Sequence, residues 1–336
     1  MKTHHVLIIG AGSIGERHLR CFAATGRAKV SFVEVKQELR EQIANRYPEA
    51  IAHASLESAL GQSIDAAVVA TPAPLHIAQA RELVARGISV LIEKPLSIGL
   101  QGCDELRADV QACGVVTAVA YVHRANPIIA EMRQAILDGQ FGKPVQMVVV
   151  SGQNFPFYRP AYRQTYYTRH DTGGGAVQDA LTHSINLGEW LVGPADRLVA
   201  DLAHTVLPDV DVEDTVHVLA RQGDVLASYS LNQHQAPNEH TVTVVCQRAT
   251  VRFEGHHSRW RAMETPAGEW IDRPHPPPQR DTPFIRQAEA FLDALEGKRP
   301  PLCSLDEGIQ TLKVNLAILE SARQGCWKSI AETRAS

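Results

Sequence analysis

The chain has 336 residues, 44% of them hydrophobic and 21% charged, and a formal net charge of −4 at pH 7. Such a composition belongs to a folded globular protein long enough for two ordinary domains, and it excludes a disordered chain. There is no basic excess to recruit a nucleic acid, and no apolar run approaches the roughly 20 residues that span a bilayer.

The first strand begins within about four residues of Met1, which leaves no room for a signal peptide, so a cytoplasmic protein is expected. The six cysteines, Cys21, Cys103, Cys113, Cys246, Cys303 and Cys326, form no CxxC pair. They read as reduced and mostly buried thiols, with no metal site.

In chain order, strand and helix alternate through the first third. Val6 to Ile9 is an apolar run, Ser13 to Ala24 a helix, Val30 to Val33 a second run and Gln37 to Arg46 a charged helix. Asp65 to Ala70 and Ile88 to Ile92 read as buried strands, joined by a helical stretch from Pro74 to Arg86. A helix near Leu100 to Ala112 and a strand from Val115 to Val119 follow. Continuous apolar strands alternating with helices predict a parallel sheet covered on both faces.

Beyond Ala120 the pattern changes. A helix from Pro127 to Leu137 precedes strands near Val145–Val150, Leu198–Thr205, Thr215–Ala220, Val225–Leu231, His240–Cys246 and Thr250–Phe253. Short Val- and Thr-rich runs between polar turns predict an antiparallel sheet. Trp270 to Pro283 reads as a surface loop, and the chain ends in helices from Pro283 to Leu295 and Ser304 to Ala322.

Gly10-Ala11-Gly12-Ser13-Ile14-Gly15 follows the first strand and opens a helix, and Glu34 ends the next strand 19 residues beyond Gly15. This is the dinucleotide fingerprint. Gly10 makes the tight turn, Gly12 admits the pyrophosphate, Gly15 allows close helix–strand packing, and the free N–H groups of the helix start meet the phosphates. The Glu34 carboxylate would bind the ribose hydroxyls and repel a 2′-phosphate, which favours NAD, although Lys36 and Arg40 nearby keep NADP open. Thr71, Pro72 and His76 lie at another strand end and join the expected cofactor site.

Glu93-Lys94-Pro95 directly follows a buried strand, which would place the Lys94 ammonium beside the cofactor, where it can stabilise a developing alkoxide. Gly173-Gly174-Gly175 leads into a predicted helix from Ala176 to Leu191. There Asp179 and His183, four residues apart, would share one face and suit a carboxylate-oriented general base. Arginines and aromatics from Asn154 to Arg169, including Arg163 and Tyr166, suit a sugar ring and an anionic group.

Together these segments resemble the glucose-fructose oxidoreductase / inositol dehydrogenase family over nearly the whole chain. The resemblance implies an α/β protein with a Rossmann NAD(P)-binding domain over residues 1–123. Residues 124–336 would form a substrate-binding and oligomerisation α/β domain with a large, mostly antiparallel open sheet. It also implies NAD(P)-linked oxidation or reduction of a sugar, sugar acid or polyol by a homodimer or homotetramer. Lys94, Asp179 and His183 become the catalytic set, Glu93 joins the cofactor contacts, and Tyr121 and Arg124 the substrate contacts. Val122, Ala125 and Asn186 depart from the usual pattern. Two other readings remain: redox-assisted glycoside cleavage with recycled NAD, and a non-enzymatic sensor.

Overall fold

The computed structural model describes residues 3–277 and 279–332. Its contacts group the chain into two units, Met1–Ala125 with Gln279–Ile309, and Asn126–Pro278 with Gln310–Ser336.

In the first unit, strands β1 (His4–Ile9), β2 (Ala28–Val33), β3 (Ile51–His53), β4 (Ala66–Val69), β5 (Ser89–Ile92) and β6 (Thr117–Val119) form one parallel sheet ordered β3-β2-β1-β4-β5-β6. Every side chain of β4 and β5 is buried, because helices cover both faces. The order reverses beside β1, so the carboxyl ends of β1 and β4 flank the crevice where doubly wound sheets take ligands.

The sequence division at 123/124 is corrected by this grouping. The helix Thr282–Leu295 returns to the first unit, where Ala288, Phe291 and Leu292 join Val6, Ile8, Phe22 and Phe32 in one core. Arg20 clamps its start through Asp281 at 2.5 and 2.8 Å, and Arg27 reaches Glu296 past its end at 2.9 Å. Hydrophobic periodicity reveals that this helix buries a face, but not which sheet receives it.

The second unit is built on a nine-stranded sheet. Its strands are β7 (Pro144–Gly152), β8 (Arg197–Ala203), β9 (Thr215–Gln222), β10 (Val225–Asn232), β11 (Glu239–Cys246), β12 (Thr250–Glu254), β13 (Arg259–Met263), β14 (Ile271–Pro274) and β15 (Lys328–Ser329). Their order is β14-β13-β12-β11-β7-β10-β9-β8-β15, and every pairing is antiparallel except β7 with β10. Alternate residues of β10 are buried, as expected of a sheet with one covered face.

Three local expectations change. The surface loop read from Trp270 to Pro283 contains edge strand β14, whose side chains are all exposed and so leave no alternation to detect. Strand β13, Arg-Trp-Arg-Ala-Met, was not foreseen, although its alternating burial is regular. The helix expected from Ala176 to Leu191 is π-helical over Val177–Leu181 and α-helical over Thr182–Val192. The 3.6-residue face shared by Asp179 and His183 is therefore interrupted between them, and π segments of this kind concentrate at functional sites.

Among the described residues no helix is long and apolar enough to cross a membrane. Four cysteines are buried, while Cys113 and Cys326 are exposed.

Candidate active site

Eleven of the expected residues gather at strand carboxyl ends in the first unit. Gly10 adopts φ +87°, and a Cβ there would lie 2.9 Å from the Ala70 carbonyl oxygen. At Gly15 a Cβ would stand 1.8 Å from the Gly10 oxygen, whereas at Gly12 it would meet nothing within 4 Å. Gly10 and Gly15 are thus required by packing, and the surface over Gly12 and Ser13 is open. The helix Ser13–Ala24, which continues through Ile14, has no side-chain cap, so its first N–H groups face that open surface. A pyrophosphate fits this arrangement.

The Glu34 carboxylate fixes the second part of the pocket. It accepts from the Ala11 N–H at 3.1 Å and the Lys36 N–H at 2.9 Å, while Arg40 donates to the Glu34 carbonyl at 2.7 Å. The acid is therefore pinned to the glycine turn, with lone pairs left for ribose hydroxyls.

His76 has a task besides the one expected. It is buried, with ring nitrogens 2.8 Å from the Thr71 oxygen and 3.1 Å from the Pro95 oxygen. Burial is the largest influence on its pKa and lowers it, and the ring lies between the Thr71-Pro72 turn and the Lys94-Pro95 turn, whose peptide is cis. His76, expected at the cofactor, is thus also engaged with these two turns.

Arg124, expected at the substrate, is buried. Its buried guanidinium donates to the Leu302 oxygen at 2.9 Å and pairs with Glu307 at 2.5 Å, which suits a structural ion pair better than a substrate contact. Tyr121 is fully buried nearby in sequence.

Two histidines that the sequence reading passed over border Glu93 and Lys94. His18 Nε2 lies 2.7 Å from Glu93 Oε1, and Glu93 Oε2 accepts the Lys94 N–H at 2.9 Å. Burial and then the Lys94 charge push the His123 imidazole down to about 4, so it faces Lys94 neutral. His18 occupied the apolar face of a helix beside Leu19 and Phe22, and a histidine there was the available signal.

The remaining expected residues belong to the second unit. Gly173 and Gly175 take φ +88° and +90°, and a Cβ on Gly174 would approach the Tyr167 oxygen to 2.2 Å. The three glycines are therefore needed to start this helix. Glu213, buried, accepts the Val177 N–H at 2.8 Å and holds His170 at 2.5 Å, a hydrogen bond that raises the His170 pKa.

Tyr166 Oη donates to Asp179 Oδ1 at 2.5 Å, which brings two expected residues together. Around His183 the helix is fixed by Asn315 donating to Thr182 at 2.8 Å and Asn186 donating to Thr311 at 2.9 Å. Asn186, one of the departures noted in the sequence, is thus a buried structural amide. Arg163 stays exposed, 3.2 Å from Asp209 and stacked on Tyr162. Asn232 and Gln233 are held by Thr215 and Tyr167, so this polar strand end is structural.

Beside Glu213, Asp214 organises the turn after β8. Burial opposes its ionisation, yet hydrogen bonds from Thr205, Leu207, Val206 and Thr215 outweigh it and lower its pKa from 3.8 to about 2. A depressed carboxylate stabilises the fold above its unfolded value and loses that contribution as pH falls toward the folded one. Asp214→Asn is expected to cost about 2 kcal/mol at pH 7, since hydrogen bonds to a charged group are lost. Urea titrations should show the gap to the parent closing between pH 4 and about 2. A gap that is constant with pH contradicts this account.

Known proteins share this architecture. Residues 4–121 match the description "Oxidoreductase family, NAD-binding Rossmann fold", and residues 129–252 match the GFO/IDH/MocA C-terminal domain. The chain belongs to the GFO/IDH/MocA oxidoreductase family. It is thus an NAD(P)-dependent oxidoreductase. A 1,5-anhydro-D-fructose reductase of Ensifer adhaerens is 25% identical over 333 residues, 95% of this chain and 96% of the relative. An inositol 2-dehydrogenase of Acidothermus cellulolyticus is 28% identical over 69% of this chain and 67% of its own length. Levoglucosan dehydrogenase, solved with NADH and levoglucosan, superposes with TM-score 0.90 at 20% identity, covering 98% of this chain and 100% of that one, which shows the shared fold.

For this oxidoreductase, Glu34→Ala combined with Val35→Arg is expected to reverse cofactor preference from NAD toward NADP. The carboxylate that repels a 2′-phosphate is removed, and Val35, 75% exposed, offers an open position for a guanidinium. The comparison is kcat/KM with each cofactor in both proteins. A parent that already prefers NADP contradicts the role given to Glu34.

Proposed function

We propose that this protein moves a hydride between NAD and a hydroxyl or carbonyl of a sugar, sugar acid or polyol. The observation that carries the reading is the set of Lys94, Asp179 and His183, each held by a built environment. Lys94 follows a buried strand, and its backbone N–H is fixed by Glu93. Asp179 receives Tyr166. His183 is partly exposed on a helix whose flanking residues are buried and hydrogen-bonded.

When bound, NAD accepts or returns the hydride. The chain does the rest. Its glycine turn and helix start bind the pyrophosphate, and Glu34 binds the ribose. Lys94 hydrogen-bonds the reacting oxygen and stabilises negative charge as it develops. His183 accepts the hydroxyl proton, and Asp179, held by Tyr166, precedes it on the same helix. Tyr166, Arg163 and Tyr121 are the residues assigned to the substrate. The relatives' names, an anhydrofructose reductase and an inositol dehydrogenase, support a cyclic polyhydroxylated substrate.

We further propose a cytoplasmic homodimer or homotetramer. Exposed Leu219 and Leu226 on adjacent strands of the nine-stranded sheet support a self-association surface.

A panel of levoglucosan, myo-inositol and D-xylose with NAD, and 1,5-anhydro-D-fructose with NADH, tests the reading by absorbance at the nicotinamide band. Turnover of at least one member is expected. Tight NADH binding without turnover of any sugar, sugar acid or polyol favours the sensor. Cleavage of a glycoside without net NADH favours recycled NAD.

A further inference from the structure

His18 lies on the helix that begins at the glycine turn, yet its ring serves the opposite strand end. It is 1% exposed, with Phe22 and Phe284 around it, the latter edge-on with ring centroids 6.0 Å apart. Its Nε2 stands 2.7 Å from Glu93 Oε1. Glu93 is itself buried, and its other oxygen accepts the Lys94 N–H at 2.9 Å.

A lone carboxylate in such surroundings would take up a proton, since ionised groups are costly to bury unpaired. Burial does push Glu93 toward the neutral form, but the His18 hydrogen bond and charge, and the Lys94 charge, reverse that and leave its pKa lowered. Carboxylate oxygens only accept, so a proton must sit on His18 Nε2.

We propose that His18 is a positioning residue for Lys94, holding Glu93 as the buried anion that fixes the lysine backbone and faces its ammonium. The pairing also joins the phosphate-binding helix to the lysine turn through one rigid buried contact. Cofactor seating and Lys94 placement are thereby set by the same helix. The inference rests on the role proposed above for Lys94.

The test uses the full-length protein and two substitutions that separate hydrogen bonding from packing. The amide nitrogen of His18→Gln reaches where Nε2 stood, whereas His18→Met fills similar volume without a donor. In the panel member turned over fastest, kcat should fall about 30-fold or more in His18→Met and stay within about threefold in His18→Gln. NADH affinity, read by fluorescence titration, should change little in either. Equal kcat in the two variants, or a loss confined to NADH affinity, overturns the inference.

A reading independent of turnover comes from the parent protein. With 15N-labelled histidine, an exchange-protected, downfield Nε2–H signal that is absent in His18→Gln is expected. A rapidly exchanging or unprotonated His18 Nε2 overturns the proposal. Lys94→Met run in parallel separates the two layers. Full turnover in Lys94→Met overturns the assigned role of Lys94 and this inference with it. An inactive Lys94→Met beside an unimpaired His18→Met removes this inference alone.

Discussion

Replacing Lys94 by alanine is expected to lower kcat by roughly 10²–10³ while NADH binds almost as in the parent, because what is lost is a stabiliser of charge present only in the transition state. Binding should survive because the pyrophosphate and ribose contacts come from elsewhere, from the glycine turn, the uncapped helix start and the Glu34 carboxylate. The lysine turn itself is held by backbone and by buried neighbours, Glu93 on one side and His76 bonded to the Pro95 oxygen on the other. Truncating the side chain therefore leaves the turn in place. Steady-state kinetics with fluorescence titration of NADH checks both halves. A variant with near-parent kcat removes Lys94 from the chemistry.

His183→Asn is expected to cost about 10²-fold or more in kcat, the usual size of a general-base contribution, with cofactor affinity nearly unchanged. Only a neutral imidazole can accept the hydroxyl proton, so oxidation should rise with pH through one ionisation, and that limb should vanish in the variant. The fold should tolerate the change, because the helix is anchored by Thr182, Asn186 and Glu189 rather than by residue 183. Profiles of kcat/KM against pH for His183→Asn and Lys94→Met assign the ionising group. If the limb persists in the first and is lost in the second, the base is Lys94.

Much of the first unit was legible in the sequence because its signals are local. Val6–Ile9, Ala66–Val69 and Val90–Ile92 are apolar throughout, which only a sheet covered on both faces requires. Gly10 and Gly15 are likewise set by short-range sterics, and Glu34 by hydrogen bonds to the nearby Ala11 and Lys36 N–H groups.

What the sequence could not show depends on partners far along the chain. His18 and Glu93 are 75 residues apart, and a histidine on the apolar face of a helix does not name its partner. Glu213 supports the Gly175–Val177 turn from 36 residues beyond Val177, and Arg124 finds Glu307 at a separation of 183. The helix Thr282–Leu295 advertises an apolar face without naming the core that takes it. The π segment at Asp179 also escapes periodicity, since one wider turn is invisible in a sequence read at 3.6 residues per turn.

The central claim is that a carbon-bound hydride of a sugar or polyol passes to NAD with net production of NADH. Its most direct measurement is turnover of the accepted panel member carrying deuterium at its hydroxyl-bearing carbons, with mass analysis of both products. The account predicts one singly deuterated NADH for each oxidised sugar released. Label returned to the sugar with no net NADH, or no transfer despite tight NADH binding, would contradict it.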